Sequence, residues 1–187
     1  MRASIPALVA ALATLAVALT PPPKLDAIRA LTQAAGDDVR GVADAAADLS
    51  GRVALAPESV YWIGAGFRAW LGRGPASCDS HTSSNDSTIR RRRSDKPVAV
   101  GRDPRLTSEA IAESFVEGSR GVDAGAATTP AMLETLLGDG DACGSVMVTA
   151  SHLPPEYNGL KFFSKELGRG LNKREVKEVM AAAEAAA

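Results

Sequence analysis

Only two cysteines, Cys78 and Cys143, and two histidines, His81 and His152, occur in the 187 residues. They form no cluster with zinc-ligand spacing and are too few for a disulfide framework, which argues against both devices as organisers of the fold. Charge of either sign is also short. Twenty-one basic residues against 22 acidic ones leave a net charge of -1, which argues against a polyanion partner such as nucleic acid. No apolar run reaches the roughly 20 unbroken residues of a membrane-spanning helix. What the chain does have, 45% apolar and 23% charged residues, is the composition of a globular domain with its own core.

Two stretches stand apart from that domain. Arg2 precedes a charge-free run from Ala3 to Pro23, apolar from Ile5 to Leu19 except at Pro6 and Thr14, with Ala16-Val17-Ala18 before the Thr20-Pro21-Pro22-Pro23 break. Residues 1–20 read as a signal-type leader, against the competing readings of an anchor or a mis-started reading frame. Its shortness and its proline weigh against the anchor, so no stable membrane association is expected after leader removal. Residues 76–96, ASCDSHTSSNDSTIRRRRSDK, lack apolar periodicity and read as a disordered insertion. Arg90 to Arg93 have the form of a nucleic-acid or localisation patch, but without interleaved aromatics they read as a solvated loop.

Between these stretches strands and helices alternate. Gly36 to Ala43, GDDVRGVA, reads as a strand or turn. Pro57 opens a helix with Val60, Ile63, Phe67, Trp70 and Leu71 on one face, ended by Gly72 and Gly74. Pro97 to Gly101 is a short buried-strand candidate, and Thr107 is placed to cap a helix carrying Ile111 and Phe115. Thr129 before Pro130 reads as the cap of another helix, with Met132, Leu133, Leu136 and Leu137 inward. GSVMVTAS at Gly144 to Ser151 reads as a strand covered on both faces. Asn172 with Glu175 three residues on forms a capping box ahead of Val176, Val179, Met180 and Ala183. The pattern predicts an α/β fold with a mixed, largely parallel sheet flanked by helices. Ligands in such sheets gather beyond the carboxyl ends of strands, where Ser151 lies.

The segment after that strand is dense in chemistry. Pro154 and Pro155 force a bend directly after Ser151 and His152. Asn158-Gly159 has the form of a hairpin turn, which would return the chain and bring Lys161 near Ser151. His152 is badly placed to activate its neighbour, because consecutive side chains in extended structure point to opposite faces. No G-x-S-x-G elbow exists either, so a Ser-His hydrolase is a poor reading. An exposed serine beside a lysine suits a phosphoryl carrier; the competing reading is a surface hairpin whose serine caps a turn.

Thr149-Ala150-Ser151-His152-Leu153-Pro154, then Asn158-Gly159-Leu160-Lys161, resembles T-A-S-H-N-P-x-x-x-N-G-x-K, the phosphoserine loop of the α-D-phosphohexomutases, the phosphoglucomutase and phosphomannomutase family. Asp38-Val39-Arg40-Gly41 resembles the family's D-I-R-G. Gly101, Arg102, Asp103 and Arg105 resemble V-V-G-R-D-x-R, and GAATTPAM resembles G-x-x-x-T-P. The similarity spans residues 36–187, the extent of the family's first domain. It implies that Ser151 carries a phosphoryl group to and from hexose phosphates through a hexose bisphosphate, and that its phosphate ligates Mg²⁺. It implies that Arg40 stands near the phosphoserine and that Lys161 serves proton transfer or phosphate contact. For His152 it implies a loop-shaping role, beside the plain reading of a hydrogen-bonded turn histidine.

The departures carry expectations of their own. Leu153 replaces the usual asparagine, as in the plant and algal branch of the family. The stretch Glu117 to Gly125 reads as too short for the glycine-and-valine strand of the family, so one strand is expected to be shortened. The Mg²⁺ loop D-x-D-x-D-R, which the family carries in its second domain, is absent from these residues, and Asp139 to Cys143, DGDAC, has too few carboxylates to replace it. A phosphoserine domain from a truncated product, inactive alone, is one expectation; a non-catalytic descendant that binds phosphosugar or a partner is the other. The leader suggests a secretory route, the Leu153 branch a plastid route begun by a signal-type leader, and a mis-started frame a cytoplasmic location.

Overall fold

The computed structural model describes residues 25–43, 55–73, 96–138 and 140–187. The leader at 1–20, the insertion at 76–96 apart from Lys96, and Asp139 lie outside the described residues. In chain order the elements are α1 (Leu25–Ala34), β1 (Val39–Val42), α2 (Pro57–Arg73), β2 (Val98–Arg102), α3 (Ser108–Ser119), β3 (Val122–Ala126), α4 (Thr129–Leu137), β4 (Gly144–Val148), β5 (Tyr157–Ser164), β6 (Arg169–Gly170) and α5 (Lys173–Ala186).

One sheet runs β1-β5-β4-β2-β3, with β6 paired to β5. β2 is parallel to β3 and β4, whereas β5 is antiparallel to β4, β1 and β6. Reversing β5 alone therefore satisfies every pairing, and the other five strands share one direction. The strand expected to be shortened is β3, which has five residues, as many as β2 and β4. It is the sheet edge, and only Gly125 in it is less than exposed, so it lacks the apolar signature of a buried strand.

Period-two alternation sorts the side chains of the sheet into two layers. Val146, Val148, Leu160 and Phe162 face α1, α2, α3 and α5, where Phe67, Phe115, Ile63 and Val179 complete the larger core. Met147 and Phe163 face the other way, onto Met132 and Leu136 of α4. Among the described residues, four helices thus cover one face and α4 covers part of the other. The close approach of α2 and α5 requires Gly66, where an added Cβ would lie 2.5 Å from the Ala183 nitrogen and 2.7 Å from the Val179 carbonyl oxygen.

Several local expectations change register. α2 continues past Gly72 to Arg73. Thr107 makes no side-chain cap for α3: its backbone is helical (φ -89°, ψ -11°) and its hydroxyl accepts from Asn158 Nδ2 at 3.0 Å. α4 is capped by Thr128 rather than Thr129, because Thr128 has the extended backbone from which a side chain can reach the Ala131 amide. The capping box of α5 is present, with Asn172 and Glu175 satisfying each other's amides.

Asn158-Gly159 is not the turn. Both residues lie inside β5, and the positive-φ positions among the described residues are Arg120, Gly125, Ser151 and Gly168. The reversal falls between β4 and β5, closed by Leu153 N–H to the Ala150 carbonyl at 3.1 Å and Tyr157 N–H to the Pro154 carbonyl at 3.0 Å. Asn158 is instead buried, donating to Thr107 and Ser108, while Gly159 is hemmed in by β1 and β4. A Cβ on Gly159 would sit 2.8 Å from the Val39 oxygen and 2.9 Å from the Thr149 oxygen.

Candidate active site

Ser151 follows β4 at the carboxyl end of the parallel strands, exposed, with φ 55°. A left-handed backbone costs a residue with a Cβ about 1–2 kcal/mol, so it persists only where surrounding contacts over-determine it. Those contacts are present. The Ser151 amide donates to Thr149 Oγ1 at 2.9 Å, and that hydroxyl donates to Asp103 Oδ2 at 2.7 Å. Arg105 donates from Nε to the same carboxylate oxygen at 3.2 Å and from Nη2 to the Ser151 carbonyl at 2.8 Å. Its other donors reach the carbonyls of Leu153 at 2.8 Å, Pro154 at 2.7 Å and Tyr157 at 3.0 Å.

Asp103 is the anchor of this arrangement. Its Oδ1 also accepts from Ser108 Oγ at 2.6 Å and from the Arg105 amide at 3.2 Å. Burial pushes its carboxyl up, but the hydrogen bonds from Ser108, Thr149 and Arg105 together with the Arg105 charge outweigh burial and hold it below the usual aspartate value.

Arg40 and Lys161 lie beside this loop on the face that α4 leaves open. Arg40 is in register with Gly159, two residues before Lys161, so both side chains leave the same face of the sheet. Both converge on Asp38 Oδ2, Arg40 Nη2 at 2.7 Å and Lys161 Nζ at 3.0 Å, and Arg40 Nη1 reaches the Ala150 carbonyl at 3.4 Å. Burial raises the Asp38 carboxyl, and the hydrogen bonds and charges of Arg40 and Lys161 lower it further than burial raises it. Two cations on one carboxylate leave one net positive charge there.

A cleft of about 650 Å³ opens between the ends of β2 and β4 and the start of α4, lined by Ser151, Thr149, Thr128, Thr129, Met147, Leu153 and neighbours. Ser151 therefore lines the cleft, whereas Arg40, Lys161 and Asp38 do not; Arg40 meets the loop at the Ala150 carbonyl, and Lys161 is tied to Arg40 through Asp38. His152 is exposed and makes no hydrogen bond with the described residues, so the bond expected of a turn histidine is not observed there. No group of three or more His, Cys, Asp or Glu among the described residues is placed to hold a metal ion. No helix of the described residues is long and apolar enough to cross a membrane.

Asp38, Asp103, Arg105 and Thr149 carry the geometry of the site, yet sequence reasoning assigned them no role. They were visible only as letters of matched motifs, because their roles rest on distant contacts: Asp38 meets Lys161, 123 positions away, and Asp103 meets Thr149, 46 positions away.

A single mixed sheet with one reversed strand, helices on both faces and a serine-bearing loop at the carboxyl ends of its strands defines an open-sheet α/β/α domain. The family model for phosphoglucomutase/phosphomannomutase, alpha/beta/alpha domain I, matches residues 33–187, and the chain belongs to that family. Phosphoglucosamine mutase of Corynebacterium diphtheriae is 44% identical over 101 residues, covering 51% of this chain and 21% of that protein. Phosphoglucomutase/phosphomannomutase of Thermococcus kodakarensis is 41% identical over 81 residues, covering 41% of this chain and 17% of that one. A phosphoglucomutase/phosphomannomutase family protein from Burkholderia thailandensis shares the fold with a TM-score of 0.58 at 20% identity, over 83% of this chain and 30% of that one. The chain thus spans about a fifth of the curated relatives' length.

Proposed function

We propose that this chain is the phosphoserine-bearing domain of a phosphohexomutase, acting on hexose phosphates through a hexose bisphosphate. The observation that carries the reading is Ser151 itself: an exposed hydroxyl at the carboxyl end of β4, on a left-handed backbone held at both its amide and its carbonyl. In the transfer, a P–O bond of the bisphosphate breaks as the Ser151 Oγ–P bond forms. The serine proton passes to the sugar oxygen that the phosphoryl group leaves. Phosphorylated Ser151 then passes its group to the free hydroxyl of an incoming hexose monophosphate, whose proton moves to Ser151 Oγ as the Oγ–P bond breaks, so that the bisphosphate is regenerated. Arg40 and Lys161 supply positive charge beside the loop, the kind of support a loose phosphoryl transition state needs. Both are held by Asp38, which favours a role in charge stabilisation over one as proton acceptor. His152, exposed next to Ser151, has a loop-shaping role in this reading.

Mg²⁺ would neutralise charge on the transferring phosphoryl group. Phosphorylated Ser151 would offer it a ligand, whereas the Asp103 carboxylate already accepts four hydrogen bonds. In this reading the other ligands come from a later domain, and the 187 residues alone do not interconvert sugar phosphates. The second reading, a phosphosugar-binding domain without chemistry, draws on the cleft beside Ser151 and the positive charge of Arg40 and Lys161.

One experiment separates the two. The full chain is incubated with glucose 1,6-bisphosphate and Mg²⁺, alone and with the later domains of a phosphohexomutase relative supplied in trans, and the Ser151 peptide is weighed. One added phosphoryl group, absent in Ser151→Ala, is expected. Bisphosphate binding with no phosphate on Ser151 in either mixture sinks the carrier and leaves the binding domain.

A further inference from the structure

Arg105 looks at first like an anion-binding residue, a guanidinium on the wall of the cleft that Ser151 lines. Its hydrogen bonds exclude that use. The five N–H groups of an arginine fork are all engaged, one by Asp103 and four by the carbonyls of Ser151, Leu153, Pro154 and Tyr157. Its side chain is 13% exposed, and a phosphate would have to displace existing partners to be bound.

The bonds also close on themselves. From the Ser151 amide the path runs to Thr149 Oγ1, on to Asp103 Oδ2, across to the Arg105 guanidinium and back to the Ser151 carbonyl. Both polar backbone groups of Ser151 are thereby tied to one carboxylate. Asp103 in turn is fixed to the start of α3 by Ser108, which also accepts from buried Asn158 of β5. The loop is thus referred to three elements at once: the end of β2, the first turn of α3 and the outgoing strand.

We infer that Arg105, with Thr149 and Asp103, is a positioning device that imposes the left-handed backbone of Ser151 and so sets the reactivity of its hydroxyl towards a phosphoryl donor. The inference rests on the carrier reading for its second half. The first half, the imposed conformation, stands on geometry alone. A lysine cannot replace this arginine, because an ammonium group offers three donors from one point and cannot span carbonyls on both sides of the loop.

The test uses the full chain as wild type, Arg105→Lys and Thr149→Val, the last removing one link of the ring with little change of shape. Three quantities are measured for each: thermal unfolding, amide hydrogen exchange across residues 150–157, and the rate of Ser151 phosphorylation as glucose 1,6-bisphosphate is varied under the conditions above. Both variants are expected to unfold cooperatively, to exchange loop amides at least tenfold faster, and to lose at least tenfold in the saturating rate with the half-saturating concentration changed less than twofold. A general loss of structure would instead raise exchange throughout the sheet. If Arg105→Lys fails to fold, Thr149→Val decides. Unchanged loop exchange, or an unchanged saturating rate with a loosened loop, overturns the inference. If the wild type takes no phosphate, the carrier reading and the reactivity claim fall together, and the exchange data still judge whether the ring imposes the conformation.

Discussion

Ser151 combines two demands that ordinarily conflict: a side chain for chemistry and a backbone conformation that suits glycine. Relief of the left-handed penalty is worth about 1–2 kcal/mol. The greater freedom of glycine in the unfolded chain takes back roughly 0.5–1 kcal/mol. The Ser151 hydroxyl makes no hydrogen bond with the described residues that would be lost. Ser151→Gly is therefore expected to be more stable than wild type by about 0.5 kcal/mol in urea denaturation, while accepting no phosphoryl group. A variant less stable by that amount would show that the conformation carries no strain. Gly159 of β5, whose role is also special, was legible as a glycine position but for the wrong reason. It is needed because Val39 of β1 and Thr149, just past β4, press against its α-carbon, not because the chain turns there.

Elements with strong internal periodicity were readable from sequence alone. α2, α3 and α5 show their apolar stripes, and β2 and β4 show the continuous apolar runs of strands buried on both faces. α1 went unread, though Ile28 and Leu31 are buried, because it follows directly on a proline-rich break. Close contacts between elements were equally invisible, and they make two predictions. Gly66→Ala gains about 1 kcal/mol of helix propensity. Its Cβ, however, meets backbone atoms of α5 at 2.5 and 2.7 Å, which cannot rotate away. Overpacking of this kind costs about 1–3 kcal/mol or more, so net destabilisation of about 1–2 kcal/mol is expected in denaturant unfolding. Gly159→Ala meets the Val39 and Thr149 carbonyl oxygens and is expected to destabilise by about 1–3 kcal/mol. Because Val39 adjoins Arg40, this variant is also expected to slow phosphorylation of Ser151, which Gly66→Ala, remote from the loop, is not.

At the scale of the whole molecule, four helices among the described residues pack on one face of the sheet and α4 on part of the other, and the charged groups of the site are held on the α4 side by half-buried carboxylates. This division was only partly legible: the motif letters marked Ser151, Arg40 and Lys161, but the acids that hold the site together reveal themselves only through long-range contacts. Those acids make stability depend on pH. Asp38 and Asp103 are half-buried, which raises their carboxyls, yet hydrogen bonds and cations prevail and leave both below the usual value. Glu175 is lowered first of all by its hydrogen bonds to Arg169. An acid depressed in the folded state binds protons more readily when unfolded, so unfolding takes up protons in the window between the two values. The stability from these groups is complete above the unfolded values of about 3.9 for aspartate and 4.3 for glutamate, and it is lost as pH falls through the lower folded values. The free energy of unfolding is expected to be level from about pH 7 to 5 and to drop steeply below about pH 4. Asp38→Asn keeps one acceptor oxygen but forfeits the charge that Arg40 and Lys161 share, two side chains only 28% and 26% exposed. It is expected to lower the plateau at pH 7 by about 1–2 kcal/mol, a hydrogen-bonded ion pair of partial exposure being worth about that much. It is also expected to flatten the decline below pH 4, because one proton-linked group has been removed. Denaturant unfolding of both proteins from pH 2 to 7 checks this: parallel curves with equal acid slopes would mean that Asp38 titrates alike in the folded and unfolded chains.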